Sequence, residues 1–351
     1  MALLPDGQAE IVVEAHGLTK RYGKNEALKD VSFSIREREI VGLIGPNGAG
    51  KSTTMNILSG YLSPTEGQVR ICGVDLLADP VGARRHIGYL PEIPPLYMDM
   101  TVEEQVCFTC ALSGVKKRGR ELREYALQLC EKTQVAHMRS RLIRNLSKGY
   151  RQRVAVAQLL AGDPDILILD EPTVGLDPRQ IREFRDLFLE LGKTHTVIFS
   201  SHILSEINSI CSRVFIFEQG RILADGRPAD LQRELGGLDI THLRLHGNWQ
   251  DALKRIAGID GVEQVYPSDP GDAALPEEDA ACMDIYIRSR TGADIPGPVN
   301  RQVRLAGCEI LLMQPEQMSL EDIYLRLTSQ DLKQPETPAV SGTAEQFRRQ
   351  A

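Results

Sequence analysis

The sequence predicts an α/β fold with a largely parallel sheet built round a phosphate-binding loop. The apolar run from Ile40 to Ile44 ends in a Gly-rich turn followed by Lys51, Ser52 and a helical pattern, which fits G-x-x-x-x-G-K-[ST] in its strand-loop-helix setting. A second apolar run, Ile166 to Leu169, carries two acids, Asp170 and Glu171, to a proline that ends the strand. Strand-like and helix-like stretches alternate along the chain, the order expected of a parallel sheet with crossover helices.

Residues 1–9 read as a loose lead-in. Residues 10–15 form a strand pattern, 16–23 a turn and 27–35 a second strand, together a small antiparallel layer. Tyr22, just before the phosphate loop, either packs locally or stacks on a base, a contact worth about 1–3 kcal/mol in nucleic-acid complexes. The loop itself, Gly45, Pro46, Asn47, Gly48, Ala49 and Gly50, has no bulky side chain to hold a phosphate off. Its backbone N–H groups, and the positive end of the helix opened by Lys51, Ser52 and Thr53, therefore suit an anion. Lys51 reaches toward the β- and γ-phosphates, and the Ser52 hydroxyl is a hard oxygen ligand suited to Mg²⁺.

That helix runs to about Ser59 and stops at Gly60. A strand at 67–72, a short helix at 79–86 and a strand at 87–92 follow. Leu96, Tyr97, Met98 and Met100 then stand in a Pro-containing stretch, 93–100, which is either covered by its own domain or a docking surface. Thr101 to Glu104 has capping-box spacing and starts a helix, with another over 121–133. Residues 145–152 lead into a helix over 154–161, whose N-terminus carries Ser147 and Gly149 and suits an anion.

At the end of the second apolar run, the order of the acids suggests Asp170 for Mg²⁺, through water, and Glu171 as general base or orienter of the attacking water. Asp177-Pro178 opens a helix to about Leu191, and 196–200 is a strand. Ser201 and His202 begin another helix, and a histidine just after a buried strand can reach a γ-phosphate. Residues 214–217 and 221–224 read as a closing hairpin.

Composition narrows the function. The chain has 351 residues, enough for one large or two ordinary domains, and 42% hydrophobic content can fill a core. A net charge of -7 argues against a nucleic-acid binder, and the basic run Lys116 to Arg120 reads as a solvated loop. Apolar runs have the length of buried strands, not the ~20 residues of a membrane span. The N-terminus lacks a basic segment followed by an apolar one, so no signal peptide is expected. A cytosolic chain that reaches a membrane only through a partner is the expectation. The seven cysteines read as packed, reduced thiols, since Cys107 and Cys110 make a C-x-x-C within a helical pattern and have no second pair nearby.

Taken together, the phosphate loop, Asp165 to Pro172 and the stretch Leu146-Ser-Lys-Gly-Tyr-Arg-Gln-Arg153 resemble the nucleotide-binding subunit of an ATP-binding-cassette (ABC) transporter over roughly residues 10–235. The resemblance implies a P-loop NTPase cassette with a mostly parallel sheet and antiparallel β and helical subdomains. It implies two cassettes facing head to tail, a homodimer by expectation, with ATP and Mg²⁺ between the phosphate loop of one and the 146–153 signature of the other. Ser147 and Gly149 then contact the partner's γ-phosphate, Tyr22 stacks on adenine, Asp177 is the interface acid and His202 the switch histidine.

Two departures stand out. Lys148 and Tyr150 replace the usual Gly and Gln of L-S-G-G-Q, and Glu92 replaces the Gln usually offered to Mg²⁺ and the attacking water. Residues 88–92, 95–101, 147–153 and 171–178 are most similar to ABC-2 type exporters, in particular the gliding-motility-associated ATPase subunits. That resemblance implies a separate polytopic permease, a peripheral position on the inner face of the membrane, and a docking role for Leu96 to Met100. A soluble ABC protein acting as a nucleotide-controlled switch is the alternative. Only one phosphate loop and one signature occur, however, and no heptad run separates them.

Residues 236–330 lie outside the cassette. Strands at 240–246, 262–266, 283–287 and 309–313, and helices at 250–257, 299–306 and 320–327, suggest a small accessory α/β sandwich of ferredoxin-like kind. A Pro- and acid-rich loop occupies 267–279, and 331–351 reads as a disordered tail. His242 and His246 lie four apart in a strand pattern, which does not suit zinc.

Overall fold

The structure, a computed structural model, describes residues 10–201, 203–236, 238–267, 282–290, 292–316 and 323–324. The chain opens with β1 (Ile11–Tyr22) and β2 (Asn25–Arg36), antiparallel neighbours that pair from Ile11 with Arg36 to Tyr22 with Asn25. The turn expected at 16–23 is thus confined to Gly23 and Lys24. The polar residues at 16–17 mark a register shift between Ala15 and Leu18, with Gly17 at φ +61°, after which the strand resumes. Pairing on both sides, with β2 and with a later strand, overrides the local turn signal.

β3 (Ile40–Ile44) is buried along its whole length and feeds the loop that caps α1 (Lys51–Leu58). β4 (Glu66–Ile71) and β5 (Val74–Asp75) complete the antiparallel sheet in the order β2-β1-β4-β5. α2 (Pro80–Arg84), capped by Asp79, leads to β6 (Ile87–Leu90). A helical layer follows: α3 (Val102–Leu112), α4 (Gly119–Lys132) and α5 (Lys148–Leu159). The capping box is present, with Thr101 and Glu104 satisfying each other's backbone N–H groups. α5 starts six residues earlier than the apolar pattern suggests, because Ser147 caps it and the polar residues 148–153 occupy its first turns.

β7 (Ile166–Asp170), α6 (Pro178–Leu191), β8 (Thr196–Ser200) and α7 (Leu204–Ile210) alternate as expected. α7 begins at Leu204 rather than at Ser201, whose hydroxyl accepts from Ile203 N–H ahead of the helix. β9 (Arg213–Glu218) and β10 (Arg221–Gly226) form the closing hairpin, followed by α8 (Pro228–Gly236). The main sheet has the order β10-β9-β3-β8-β7-β6, parallel except for β10. β3, β7 and β8, buried on both faces, therefore deliver their carboxyl ends to one edge of the sheet.

β11 (Leu238–His246), α9 (Trp249–Ile256), β12 (Val262–Pro267), β13 (Cys282–Arg290), α10 (Pro296–Leu305) and β14 (Glu309–Glu316) build the second sheet, ordered β12-β13-β11-β14 with antiparallel neighbours. This is the βαββαβ arrangement of a ferredoxin-like sandwich, with its own apolar core of Leu243, Ile285, Ile287, Val299 and Val303. His242 binds Asp284 and stacks on Tyr286, a structural engagement. Of the helix expected at 320–327, only Ile323 and Tyr324 are described, and Ile323 is buried in the cassette's core cluster rather than in that of the second sheet. The expected lead-in, the loop from 268 onward and the tail at 331–351 lie outside the described residues. Among those described, no helix is long and apolar enough to cross a membrane.

Candidate functional site

The phosphate loop takes its shape from glycine. Gly45 has φ +154°, and a Cβ there would lie 2.4 Å from the Phe217 carbonyl oxygen; Gly50, at φ +113°, abuts Leu28 and Ala27. Gly45 thus packs against β9 and Gly50 against β2, while Gly48 lies in open space. Lys51 is buried, and its Nζ donates to Gly45 O at 2.7 Å and Pro46 O at 3.1 Å. Burial holds the Lys51 ammonium below its ordinary pKa, against the opposing pull of Glu171 and Asp170.

A cleft of about 960 Å³ lies over this loop, lined by Tyr22, the loop from Gly45 to Gly50 except Ala49, Lys51, Ser52, Thr53, Glu92 and Glu171. Tyr22 is 51% exposed at its rim, with Lys20 Nζ 5.4 Å from the ring centroid. Ala49 is buried beneath the loop. Asp170 is also buried, and Ser52 Oγ donates to its Oδ1 at 3.4 Å. The parallel register that pairs Asp170 with Ser200 brings a stronger partner: Ser200 Oγ donates to the same Oδ1 at 2.7 Å and accepts from Glu171 N–H at 2.9 Å. Glu171 has φ +47°, a conformation that costs a non-glycine residue about 1–3 kcal/mol and is held here by its surroundings. Ser52 and Asp170 bring a hydroxyl and a carboxylate together, and Glu92 lines the same cleft as Ser52, so the donors on offer are oxygens, the class that fits Mg²⁺.

Sequence reasoning overlooked Ser200, because a serine ending an apolar strand carries no motif; its strand register with Asp170 is the signal. Ser200→Ala removes one donor from the buried Asp170 Oδ1 and one acceptor from the Glu171 N–H. Denaturant unfolding should read a loss of about 1–3 kcal/mol. Glu206 is a second omission: buried on α7, it accepts from Thr173 Oγ1 at 2.7 Å and Ser201 Oγ at 3.2 Å, tying the segment after Glu171 to the segment after β8. His202 lies outside the described residues.

The remaining candidates gather elsewhere. Ser147, Gly149 and Asp177 line a separate cleft of about 750 Å³ with Tyr150, Gln180 and His137. Gly149 is buried against Gln180, where a Cβ would come within 2.8 Å of the amide carbon. Asp177 Oδ1 accepts from the N–H groups of Arg179 and Gln180 and so caps α6. Of the two unusual signature residues, Tyr150 faces this cleft and its hydroxyl lies 3.3 Å from His137 Nε2, whereas the Lys148 side chain lies across Gly175. Each cleft thus holds only part of the predicted set: Tyr22, the loop, Lys51, Ser52, Glu92 and Glu171 in one, Ser147, Gly149 and Asp177 in the other.

The family model described as ABC transporter matches residues 28–174. The linearmycin resistance ATP-binding protein LnrL of Bacillus subtilis is 30% identical over 328 residues, 92% of this chain and 100% of its own length. The probable multidrug ABC transporter ATP-binding protein YbhF of Escherichia coli is 38% identical over 226 residues, and the chain spans only 39% of that relative's length. A solved dimeric post-hydrolysis state of the ATP-binding cassette MJ0796, bound to ADP and Pi, superposes with a TM-score of 0.57 at 28% identity, over 61% of this chain and 98% of that one.

Proposed function

The chain belongs to the ABC transporter family of ATP-binding proteins, and from that premise we propose that it is the ATPase subunit of an ABC-2 type exporter, of the gliding-motility-associated kind, working as a homodimer on a separate polytopic permease. The division of the site supports the dimer in this reading: the phosphate cleft and the signature cleft are distinct surfaces of one chain. A complete nucleotide site therefore needs the signature of a second cassette, as in the dimeric form of its structural neighbour.

In the proposed reaction ATP lies in the phosphate cleft, with adenine on Tyr22 and its phosphates against the loop N–H groups and Lys51. Ser52, Asp170 and Glu92 would hold Mg²⁺, which would supply charge neutralisation on the phosphates. Ser200 holds Asp170 in place, and Glu171 takes a proton from the attacking water. Ser147 and Gly149 of the partner close over the γ-phosphate with Asp177, and His202 takes the switch role that the family resemblance gives it. Closure and reopening of the dimer is the motion passed to the permease. The segment receiving that motion is 93–100, where Ile93, Tyr97 and Met98 are exposed and Leu96 packs inward.

Tagged Glu171→Gln protein, solubilised from native membranes with ATP present, should co-purify a polytopic membrane protein. Recovery of soluble proteins alone, or of ribosomes or DNA, would favour a nucleotide-controlled switch and overturn the exporter reading.

A further inference from the structure

At the opposite edge of the main sheet from the nucleotide cleft, three segments far apart in sequence bring a thiol, an imidazole and a carboxylate together. Cys72 sits in the turn between β4 and β5, His86 just before β6, and Asp165 just before β7. One ligand atom from each lies within 4.8 Å of the other two, and His86 Nδ1 is 2.6 Å from Asp165 Oδ2. We propose that Cys72, His86 and Asp165 form a three-ligand zinc site.

The donor chemistry selects the metal class. One sulfur, one nitrogen and one oxygen suit Zn²⁺, whereas Mg²⁺ and Ca²⁺ take oxygen ligands. The scaffold is built before any metal arrives. Cys72 N–H donates to Val12 O at 2.8 Å, and Ile166 N–H donates to His86 O at 2.9 Å, so the neighbouring sheets hold the ligand-bearing backbones. Cys72 and Gly73, both at positive φ, form the two-residue turn that pairs Ile71 with Val74, which fixes where Cys72 stands. The half-exposed His86 and the exposed Asp165 leave the cluster open on one side, where water supplies a fourth ligand. Zinc bound here fastens the antiparallel layer to the strands β6 and β7 of the main sheet. Zinc takes the place of the His86–Asp165 hydrogen bond: the proton of that bond passes by way of solvent to His86 Nε2, and the Cys72 thiol proton is lost to solvent.

Cobalt(II) is the probe, added to the full-length protein after removal of any histidine tag and with reductant present. The expected result is a thiolate-to-cobalt charge-transfer band that saturates at one equivalent and is bleached by zinc. The nucleotide cleft has no thiol and cannot produce that band. Cys72→Ser should abolish it, His86→Ala should weaken cobalt affinity by at least about 10-fold, and a Cys107→Ser/Cys110→Ser double variant should leave it intact. Zinc should raise the Tm of wild type and not that of Cys72→Ser, with ATPase activity reporting that each variant is folded. Absence of the band in wild type, or its persistence at wild-type affinity in either Cys72→Ser or His86→Ala, would overturn the site.

Discussion

Glu171→Gln is expected to lower ATP turnover by about 10²–10⁴-fold, the usual contribution of a positioned general base, while nucleotide binding is retained. Glu171 lines the phosphate cleft at the end of β7, and its backbone N–H is tied to Ser200 Oγ. A glutamine keeps the side-chain size and the strained backbone but cannot accept the water's proton. Steady-state phosphate release and equilibrium ATP binding, measured on the same protein, separate the two effects. Size-exclusion chromatography with ATP should show the variant as a stable dimer, because the proposed cycle stops before the step that reopens it. Hydrolysis close to wild type would remove Glu171 from its role.

Lys51→Ala acts one step earlier. Its ammonium is buried and held by two loop carbonyls, Gly45 O and Pro46 O, at the floor of the cleft. A hydrogen bond to a charged group contributes about 1.5–3 kcal/mol, so ATP affinity should fall by about 10- to 100-fold. Stability without nucleotide should change little, since the substitution also removes a charge whose ionisation burial disfavours. Thermal denaturation tests both points together: Mg-ATP should raise the wild-type Tm and leave that of the variant almost unmoved. An undiminished Tm rise in Lys51→Ala would place the phosphates elsewhere.

The legible parts of this protein are those whose chemistry is local. The phosphate loop, the β7 acids and the Thr101 capping box depend on contiguous residues, so spacing alone located them. β8 and α6 appeared at their predicted bounds because a five-residue buried strand and an Asp-Pro helix start are strong short-range signals. The errors share the opposite cause. Residues 16–22 carry turn-forming residues yet continue a strand paired with β2, with His16 and Thr19 also paired to β4, and 148–153 are polar yet form the first turns of a helix capped by Ser147. In both places hydrogen bonds made with other segments, or by a single cap, outweighed local composition.

By itself, the sequence determined that this chain carries a phosphate loop, two strand-end acids and a signature stretch, and hence its family, because such motifs need only the chain's own order. Tertiary structure alone decided what lies beside them. Ser200 meets Asp170 through strand register, the signature residues open on a cleft of their own, and Cys72, His86 and Asp165 converge from three segments. The physical reason is that a contact across a sheet costs chain entropy and is repaid only when the whole core forms, so no window of sequence can contain it.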